Sequence, residues 1–327
     1  MEFQGKRIGH NPAKTLEQAA QPARVTVAVV SFIPFISGYY AESLKVLQVC
    51  LESIWENTAG DYDLLVFDNA SCAEVRHYLL EAHRQGRIQY LWLSDRNLGK
   101  SGAWNILFGG APGEYLAYAD SDIYHYPGWL PALVHVLETF PNAGMVTGIP
   151  MWSPEEFSTS TISWAQSTPG VRLERGRYLP WEDYWRHARS LGRSEADART
   201  HYDSSQNLCI VHQGQRYYVG AGHFQFLARR KVLQSILPLP SDRPMGQVRS
   251  IDIALNERGF LRLSTPQWWV QHLGNSLEAL DRRPANEPPR VAADALQADK
   301  RTPSPWKPAR KLLLWLHRKT FEMLYRS

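Results

Sequence analysis

Val25–Ser31 reads VTVAVVS, a run dominated by β-branched side chains with no polar alternation. Such a run offers no solvent face, so it predicts a strand buried on both sides within a sheet that helices cover above and below. The next segments keep to that scheme. Tyr40–Asn57 carries Leu44, Leu47, Leu51, Ile54 and Trp55 at helical spacing. LLVF at Leu64–Phe67 is a second buried strand and ends in Asp68-Asn69-Ala70-Ser71. A helix over Val75–His83 precedes a strand over Ile88–Leu93, which ends in Asp95-Arg96-Asn97-Leu98-Gly99. Helix Trp104–Phe108, strand Tyr115–Ala119, helix Trp129–Phe140 and strand Gly144–Ile149 complete the series. Alternation of this kind predicts an α/β fold with a mostly parallel sheet and helices on both faces. Its functional residues are expected beyond the carboxyl ends of the strands.

From about Met151 the rhythm breaks, and Trp152, Trp164, Trp181 and Trp185 stand among Pro, Ser, Thr and Gly. A polar, helix-compatible stretch covers Trp185–Thr200, and regular pattern returns at Arg216–Val219, Phe224–Leu227 and the helix Arg229–Ile236. A short helix near Ile251–Glu257 leads into strands Leu261–Ser264 and Trp268–Leu273. The expected organisation is an N-terminal extension over 1–24, a first half over 25–150 and a second half of the same domain over 151–280. A linker rich in Pro, Ala and charge follows over 281–307, and a basic amphipathic helix over 308–327.

Charge resolves along the chain in the same way. The formal total is +4, but residues 300–327 hold eight basic side chains against Glu322, so the rest of the chain is net −3. The tail, with Leu312, Leu313 and Leu316 on one face, suits an anionic membrane surface or self-association. Basic residues confined to one helix without an aromatic platform argue against nucleic acid. Cys50, Cys72 and Cys209 show no CxxC spacing, which argues against a disulfide framework or a zinc site. The first 24 residues lack an apolar signal segment, and the longest apolar runs fall short of the roughly 20 residues a membrane span needs. These features predict a cytoplasmic protein, with a peripheral place on the inner face of the membrane open to it.

Chemistry concentrates at the predicted strand ends. Asp120-Ser121-Asp122 follows the strand YLAYA directly, and paired carboxylates there suit a hard divalent cation bridging phosphates. Asp61-Tyr62-Asp63 has the same spacing but precedes its strand, which predicts a solvated turn at the opposite edge. Asp68 could accept from the N–H edge of a nucleobase, or form a plain Asx turn. Gly99-Lys100-Ser101 invites a phosphate-loop reading, but that motif needs glycine where this chain has Ser94. The glycines still allow close backbone approach to a ligand, and Arg96 and Lys100 supply charge for a diphosphate.

In order, VAVVSF, VFDNAS, RNLGKSGAWN and YLAYADSD resemble the nucleotide-binding half of GT-A (Rossmann-like) glycosyltransferases, particularly glycosyltransferase family 2. The resemblance covers residues 25–150 and extends more loosely to about 275. It implies transfer of a sugar from a nucleotide-diphosphate donor, UDP by default, to a glycan, lipid-linked or other hydroxyl acceptor, with Mn²⁺ or Mg²⁺. It implies metal ligation by Asp122, His272 and Asp120, with Asp120 and Ser121 also touching the donor. Asp68 is the base-binding acid, and Ser31, Arg96, Asn97, Gly99, Lys100 and Asn105 complete the donor contacts. Asp252, in Ser250-Ile251-Asp252, is the implied general base of an inverting reaction. Ile251 stands where the family carries Glu, and Glu257 and Asp242 compete for the base role. Gly222, His223 and Trp181 are candidates for sugar contacts. Two other classes remain open, a nucleotidyltransferase of similar fold and a non-catalytic nucleotide-sugar or glycan-binding protein.

Overall fold

The computed structural model describes residues 19–282; the extension through residue 18, the linker from residue 283 and the helix expected over 308–327 lie outside the described residues. The chain runs β1 (Val25–Ser31), α1 (Ser43–Asn57), β2 (Tyr62–Asn69), α2 (Ala73–Arg84), β3 (Tyr90–Ser94), α3 (Gly99–Gly110), β4 (Tyr115–Asp120), β5 (Ile123–His125), α4 (Trp129–Thr139) and β6 (Ala143–Thr147). It continues through α5 (Thr159–Ser167), β7 (Arg172–Gly176), α6 (Trp181–Ser190), α7 (Glu195–Ser204), β8 (Asn207–His212), β9 (Gln215–Val219), β10 (Gln225–Arg229), α8 (Arg230–Ser235), α9 (Ser250–Glu257), β11 (Leu261–Ser264) and β12 (Val270–His272).

One sheet crosses both halves of the chain in the order β3-β2-β1-β4-β10-β6-β11-β9-β8-β7. Strands β1 to β4, β6, β8 and β11 run one way, and β7, β9 and β10 run against them. β1 is central and buried, and its two faces serve two cores. Val25, Val27 and Val29 pack with Leu47, Leu51 and Ile54 of α1 and Leu133 and Leu137 of α4. Ala28 faces the other way, with Ala103, Trp104 and Leu107 of α3. Period-two alternation thus hands one apolar run to two helical layers. The small Ala28 leaves room on its face for large rings, and Trp104 stacks on Phe108 and meets Tyr118 edge-on at 5.5 Å.

Register lines up the polar strand ends. Ser31 lies opposite Asp68, and Val30 opposite Asp120, so the ends of β1, β2 and β4 share one edge. Because β10 is antiparallel to β4, its start also reaches that edge, with the Asp120 N–H donating to the Phe224 carbonyl at 2.8 Å. A separate pairing of β5 with β12 sets His272 opposite Ile123, and the Leu273 N–H donates to the Asp122 carbonyl at 2.8 Å. That small ribbon carries the last strand back to the acidic corner.

Three details depart from the sequence reading. The helix expected at Trp104–Phe108 starts at Gly99, so the GKSG segment is its first turn rather than a loop. β7, β8 and the three-residue β5 were not anticipated. Asp63 belongs to the start of β2, where its carboxylate accepts from the Ala23 N–H at 2.9 Å, so the first DxD spacing is an anchor for the incoming chain, not a solvated turn.

Candidate active site

Beyond the shared edge lies a cleft of about 400 Å³, lined among others by Lys100, Asp120, Gly222, His223, Asp252 and His272. That volume is in the range of small-molecule sites. Six residues singled out from five separate stretches of sequence therefore meet in one place.

Asp120, at the end of β4, is fully engaged. Its Oδ2 accepts from Lys100 Nζ at 2.6 Å and its Oδ1 from the Tyr118 hydroxyl at 2.5 Å. Burial pushes the Tyr118 phenol far above its ordinary range, with the Asp120 charge adding to the effect, so Tyr118 stays a donor. Lys100 is thereby held over the cleft, with one hydrogen bond on each Asp120 oxygen.

Asp122 is different. Its Oδ1 is buried without a hydrogen-bond partner, and its Oδ2 lies 3.4 Å from His272 Nε2. Desolvation raises the Asp122 carboxyl above its ordinary value, and His272 opposes that rise. Ser190 orients the His272 ring. The Ser190 hydroxyl donates to the His187 carbonyl at 2.7 Å, so toward His272 Nδ1, 3.0 Å away, it acts as acceptor. With Nδ1 engaged by Ser190, Nε2 is the nitrogen that faces the carboxylate. A carboxylate oxygen and an imidazole nitrogen facing one point fit a divalent cation. Asp120 borders the same corner but already accepts from Lys100 and Tyr118. No group of three or more acidic, histidine or cysteine ligands occurs among the described residues.

Asp252 opens α9 on the far wall and is 0% exposed. Its Oδ2 meets His223 Nε2 at 2.5 Å, and its Oδ1 pairs with Arg262 Nη2 at 2.7 Å. Arg249 Nη1 stands 4.0 Å from Oδ2. Burial lowers the Arg262 pKa from its ordinary value while Asp252 raises it, and a guanidinium remains charged through such a shift.

Gly222 and His223 sit on a turn tied down along its length. Gly220 adopts φ +111°, and a Cβ there would come 2.2 Å from Ser153 Cβ, so only glycine fits. The carbonyls of Gly220, Ala221 and Gly222 accept from Ser264 Oγ, Arg262 Nη2 and Thr147 Oγ1, at 2.6, 2.7 and 3.3 Å.

The other expected contacts lie apart from the cleft. Asp68 is 0% exposed, accepting from the Ser71 N–H and from Arg76 Nε at 3.0 Å, the Asx turn that was the alternative reading, with an ion pair added. Ser31 is buried beside it, its hydroxyl without a partner. Arg96 is exposed on the turn after β3, and Ser121 is half-buried between the two acids. Asn97, Gly99 and Asn105 line a second hollow roofed by residues 241–244. There the Asn105 amide exchanges two hydrogen bonds with the Leu239 backbone, at 2.7 and 2.8 Å, so it clamps that segment instead of facing a ligand. Trp181 stacks on Trp185 and is likewise outside the cleft lining, because α6 turns that face toward α7 and Arg199. Of the four mid-chain tryptophans, Trp152 lines the cleft.

Sequence reasoning missed Arg262, the lone charge in the strand LRLS, and His187, whose buried ring meets the His272 ring edge-on at 5.9 Å. A signal for His187 exists: Tyr184, His187, Ala188 and Leu191 follow helical spacing, and all four line the cleft.

The chain is similar to several known proteins. An uncharacterized glycosyltransferase of Nostoc sp. is 28% identical over 112 residues, 34% of each chain, so the match spans about a third of that relative's length. Among solved structures, GalNAc-T7 with UDP, GalNAc and Mn²⁺ is similar at TM-score 0.48 and 13% identity, over 77% of this chain and 43% of that one. The mannosyltransferase PcManGT from Pyrobaculum calidifontis, in complex with GDP-Man and Mn²⁺, is similar at TM-score 0.42 and 16% identity, over 75% of this chain and 54% of that one. Residues 36–198, which include β2 to β4 and the Asp120–Asp122 corner, match the model of glycosyl transferase family 2, and the chain is a family 2-like glycosyltransferase.

Proposed function

We propose that the chain is a metal-dependent glycosyltransferase that moves a sugar from a nucleotide-diphosphate donor to an acceptor hydroxyl with inversion. The observation that carries this reading is the Asp122–His272 corner, where an unpartnered buried carboxylate oxygen and an imidazole nitrogen converge beside a fixed lysine. A divalent cation, Mn²⁺ or Mg²⁺, bound there supplies positive charge to the diphosphate of the donor. Lys100 adds a second positive charge at the same edge. His272 is oriented by Ser190 and Asp122 by the β5–β12 ribbon, so both ligands are positioned before any donor arrives.

Inversion is supported by the state of the cleft's carboxylates. Asp120 is held by Lys100 and Tyr118, and Asp252 by Arg262 and His223, so neither is free to act as a covalent nucleophile. Direct attack of the acceptor oxygen on the anomeric carbon then inverts it. Asp252 supplies the negative charge of the corner where the acceptor loses its proton.

UDP is the favoured donor base, through Asp68 and its neighbours at the end of β2, and this part of the reading requires Arg76 or Ser71 to yield one of its hydrogen bonds to the base. No helix among the described residues is long and apolar enough to cross a membrane. The basic segment 308–327 suits a peripheral membrane contact or self-association, and pelleting with anionic vesicles, with and without residues 300–327, separates the two: loss of binding on truncation supports the membrane role.

The experiment that tests the reading is proton NMR of a reaction with Mn²⁺ and α-linked UDP- and GDP-sugars, in which the first anomeric signal of the released or transferred sugar is identified. A β signal appearing first is expected. An α signal appearing first refutes inversion, and absence of any sugar release from the panel refutes the activity.

A further inference from the structure

Asp252 lines the cleft from a buried position, with His223 hydrogen-bonded to it. It is 0% exposed; its Oδ2 is hydrogen-bonded to His223, and its Oδ1 has no hydrogen bond but is ion-paired with Arg262 at 2.7 Å. His223 lines the same cavity and keeps 21% of its side chain exposed, against 0% for Asp252. Its Nδ1 has no hydrogen-bond partner among the described residues. We propose that His223, through Nδ1, is the catalytic base of the reaction and that Asp252 is its positioning residue, an inference that rests on the glycosyl-transfer reading above.

The argument is one of donors and acceptors. A carboxylate on Nε2 fixes the tautomer with the proton on Nε2, which leaves the Nδ1 lone pair for the acceptor hydroxyl. This is the logic of any acid–histidine pair, in which the acid orients the ring and stabilises the cation formed during reaction. Arg262, 1% exposed, stands 2.7 Å from the other carboxylate oxygen and holds the charge of Asp252 in place behind the ring. The turn that carries His223 is equally constrained. The Gly220 N–H donates to the Arg262 carbonyl at 2.9 Å and the Gly222 N–H to Thr147 Oγ1 at 2.7 Å, so β6, β11 and α9 all fix the ring's position. Such rigidity is what a proton-transfer group needs and a loop histidine ordinarily lacks.

The charged and titratable groups sharing this cleft come from every wall. They are Asp252 and Arg249 of α9, Arg262 of β11 and the Lys100–Asp120 pair at the sheet edge. Opposite them are Asp183 and His187 of α6, Arg193 after it, His201 of α7 and His272 of β12. Of these, Asp252 is the one hydrogen-bonded to His223.

The step balances without any further reactant. As the acceptor oxygen forms its bond to the anomeric carbon, its proton passes to Nδ1. The bond from that carbon to the diphosphate breaks, and its electron pair leaves with the nucleoside diphosphate. The imidazolium, paired through Nε2 with Asp252, then returns its proton to solvent.

The test uses the full chain with Mn²⁺ and a panel of UDP-glucose, UDP-GlcNAc and GDP-mannose, with water as the acceptor and nucleoside diphosphate release as the readout. His223→Ala and His223→Gln, the latter retaining a hydrogen bond to Asp252 without basicity, are each expected to lower release by roughly 10²–10⁴-fold. Donor affinity by titration calorimetry is expected to change by less than about 2-fold, since the group acts in the transition state and not in binding. Added imidazole is expected to restore release to His223→Ala and not to His223→Gln, where the space is filled. Nitrogen NMR is expected to show Nε2–H as the tautomer of His223 in the wild type and a mixture in Asp252→Asn. Undiminished release by both His223 variants while the wild type is active overturns the base assignment alone. Loss of donor affinity in step with release marks a structural role and overturns it as well. A wild type silent toward the whole panel overturns the underlying activity, and the base with it.

Discussion

Arg262→Met isolates the buried charge cluster on which the acceptor wall depends. Methionine keeps much of the aliphatic length but removes the ion pair to Asp252 at 2.7 Å, the bonds from Nη1 to the Phe157 carbonyl and Ser158 Oγ at 2.7 and 3.3 Å, and that from Nη2 to the Ala221 carbonyl at 2.7 Å. Taking one partner from a buried pair leaves the other uncompensated, which costs about 3–5 kcal/mol. The orphaned carbonyls add about 1 kcal/mol or more each, and the buried methionine returns about 1–2 kcal/mol of transfer energy. The expected net loss is therefore about 4 kcal/mol. With a urea slope near 3 kcal/mol/M, the unfolding midpoint should fall by about 1–1.5 M. Tryptophan fluorescence is a suitable signal, since the chain has 12 tryptophans. Asp252→Asn added to Arg262→Met should recover about 1–3 kcal/mol, because the charge left unpaired is removed as well. A loss under about 1 kcal/mol for the single variant, or strict additivity in the double, would refute the buried-pair reasoning.

Two further predictions concern stability and one concerns metal. His125 is fully buried, hydrogen-bonded to Ser53 and tilted against the Trp129 ring, with Nε2 unpartnered, and burial drives its pKa from 6.5 to about 3. A base depressed in the folded state leaves stability intact above about pH 6.5 and erodes it as pH falls toward 3, by on the order of 4 kcal/mol in all. Unfolding free energies of wild type and His125→Gln measured from pH 7 to 4 should therefore converge on the acid side; parallel curves contradict this. Gly99 has φ +68°, and an added Cβ would lie 2.9 Å from the Pro244 backbone, whereas Gly86 has φ +74° and open space. Gly99→Ala should cost more than Gly86→Ala by about 1 kcal/mol or more, since both carry left-handed strain and only the first must displace a backbone segment. Equal melting shifts would show that the 241–244 segment yields freely. Asp122→Asn should weaken Mn²⁺ binding in the presence of UDP by at least about 10-fold in a calorimetric titration, while Asp120→Asn, removing a carboxylate engaged by Lys100, should change it less. Equal effects would assign Asp120 to the metal as well.

Much of the fold was legible because β1, β2 and β4 are buried on both faces and their apolar runs are unbroken. The acidic corner was legible too, since Asp120-Ser121-Asp122 directly follows such a strand. What escaped detection has physical causes. The first turn of α3 contains Gly99 and Gly102, poor helix formers, and forms because Asn97 Oδ1 accepts from the Gly99 N–H and Asn69 Oδ1 from the Leu98 N–H, a tertiary contribution that local propensity does not contain. The strands β5 and β12 are three residues each and exist only by pairing with one another across the chain. Asp252 was found as a helix-start acid, but its enclosure depends on Arg262 and His223, 10 and 29 residues away, and no spacing rule connects them. Asp68 was correctly placed at a strand end, yet its saturation by Arg76 follows from the geometry of α2 against β3.

The most direct test of the central claim is nucleoside diphosphate release from UDP- and GDP-sugars by the wild type with Mn²⁺, with EDTA, and by Asp122→Asn with Mn²⁺. The account predicts release in the first case and background in the other two. Release that survives both EDTA and Asp122→Asn would contradict it, as would pyrophosphate release from a nucleoside triphosphate and a sugar phosphate in place of diphosphate release.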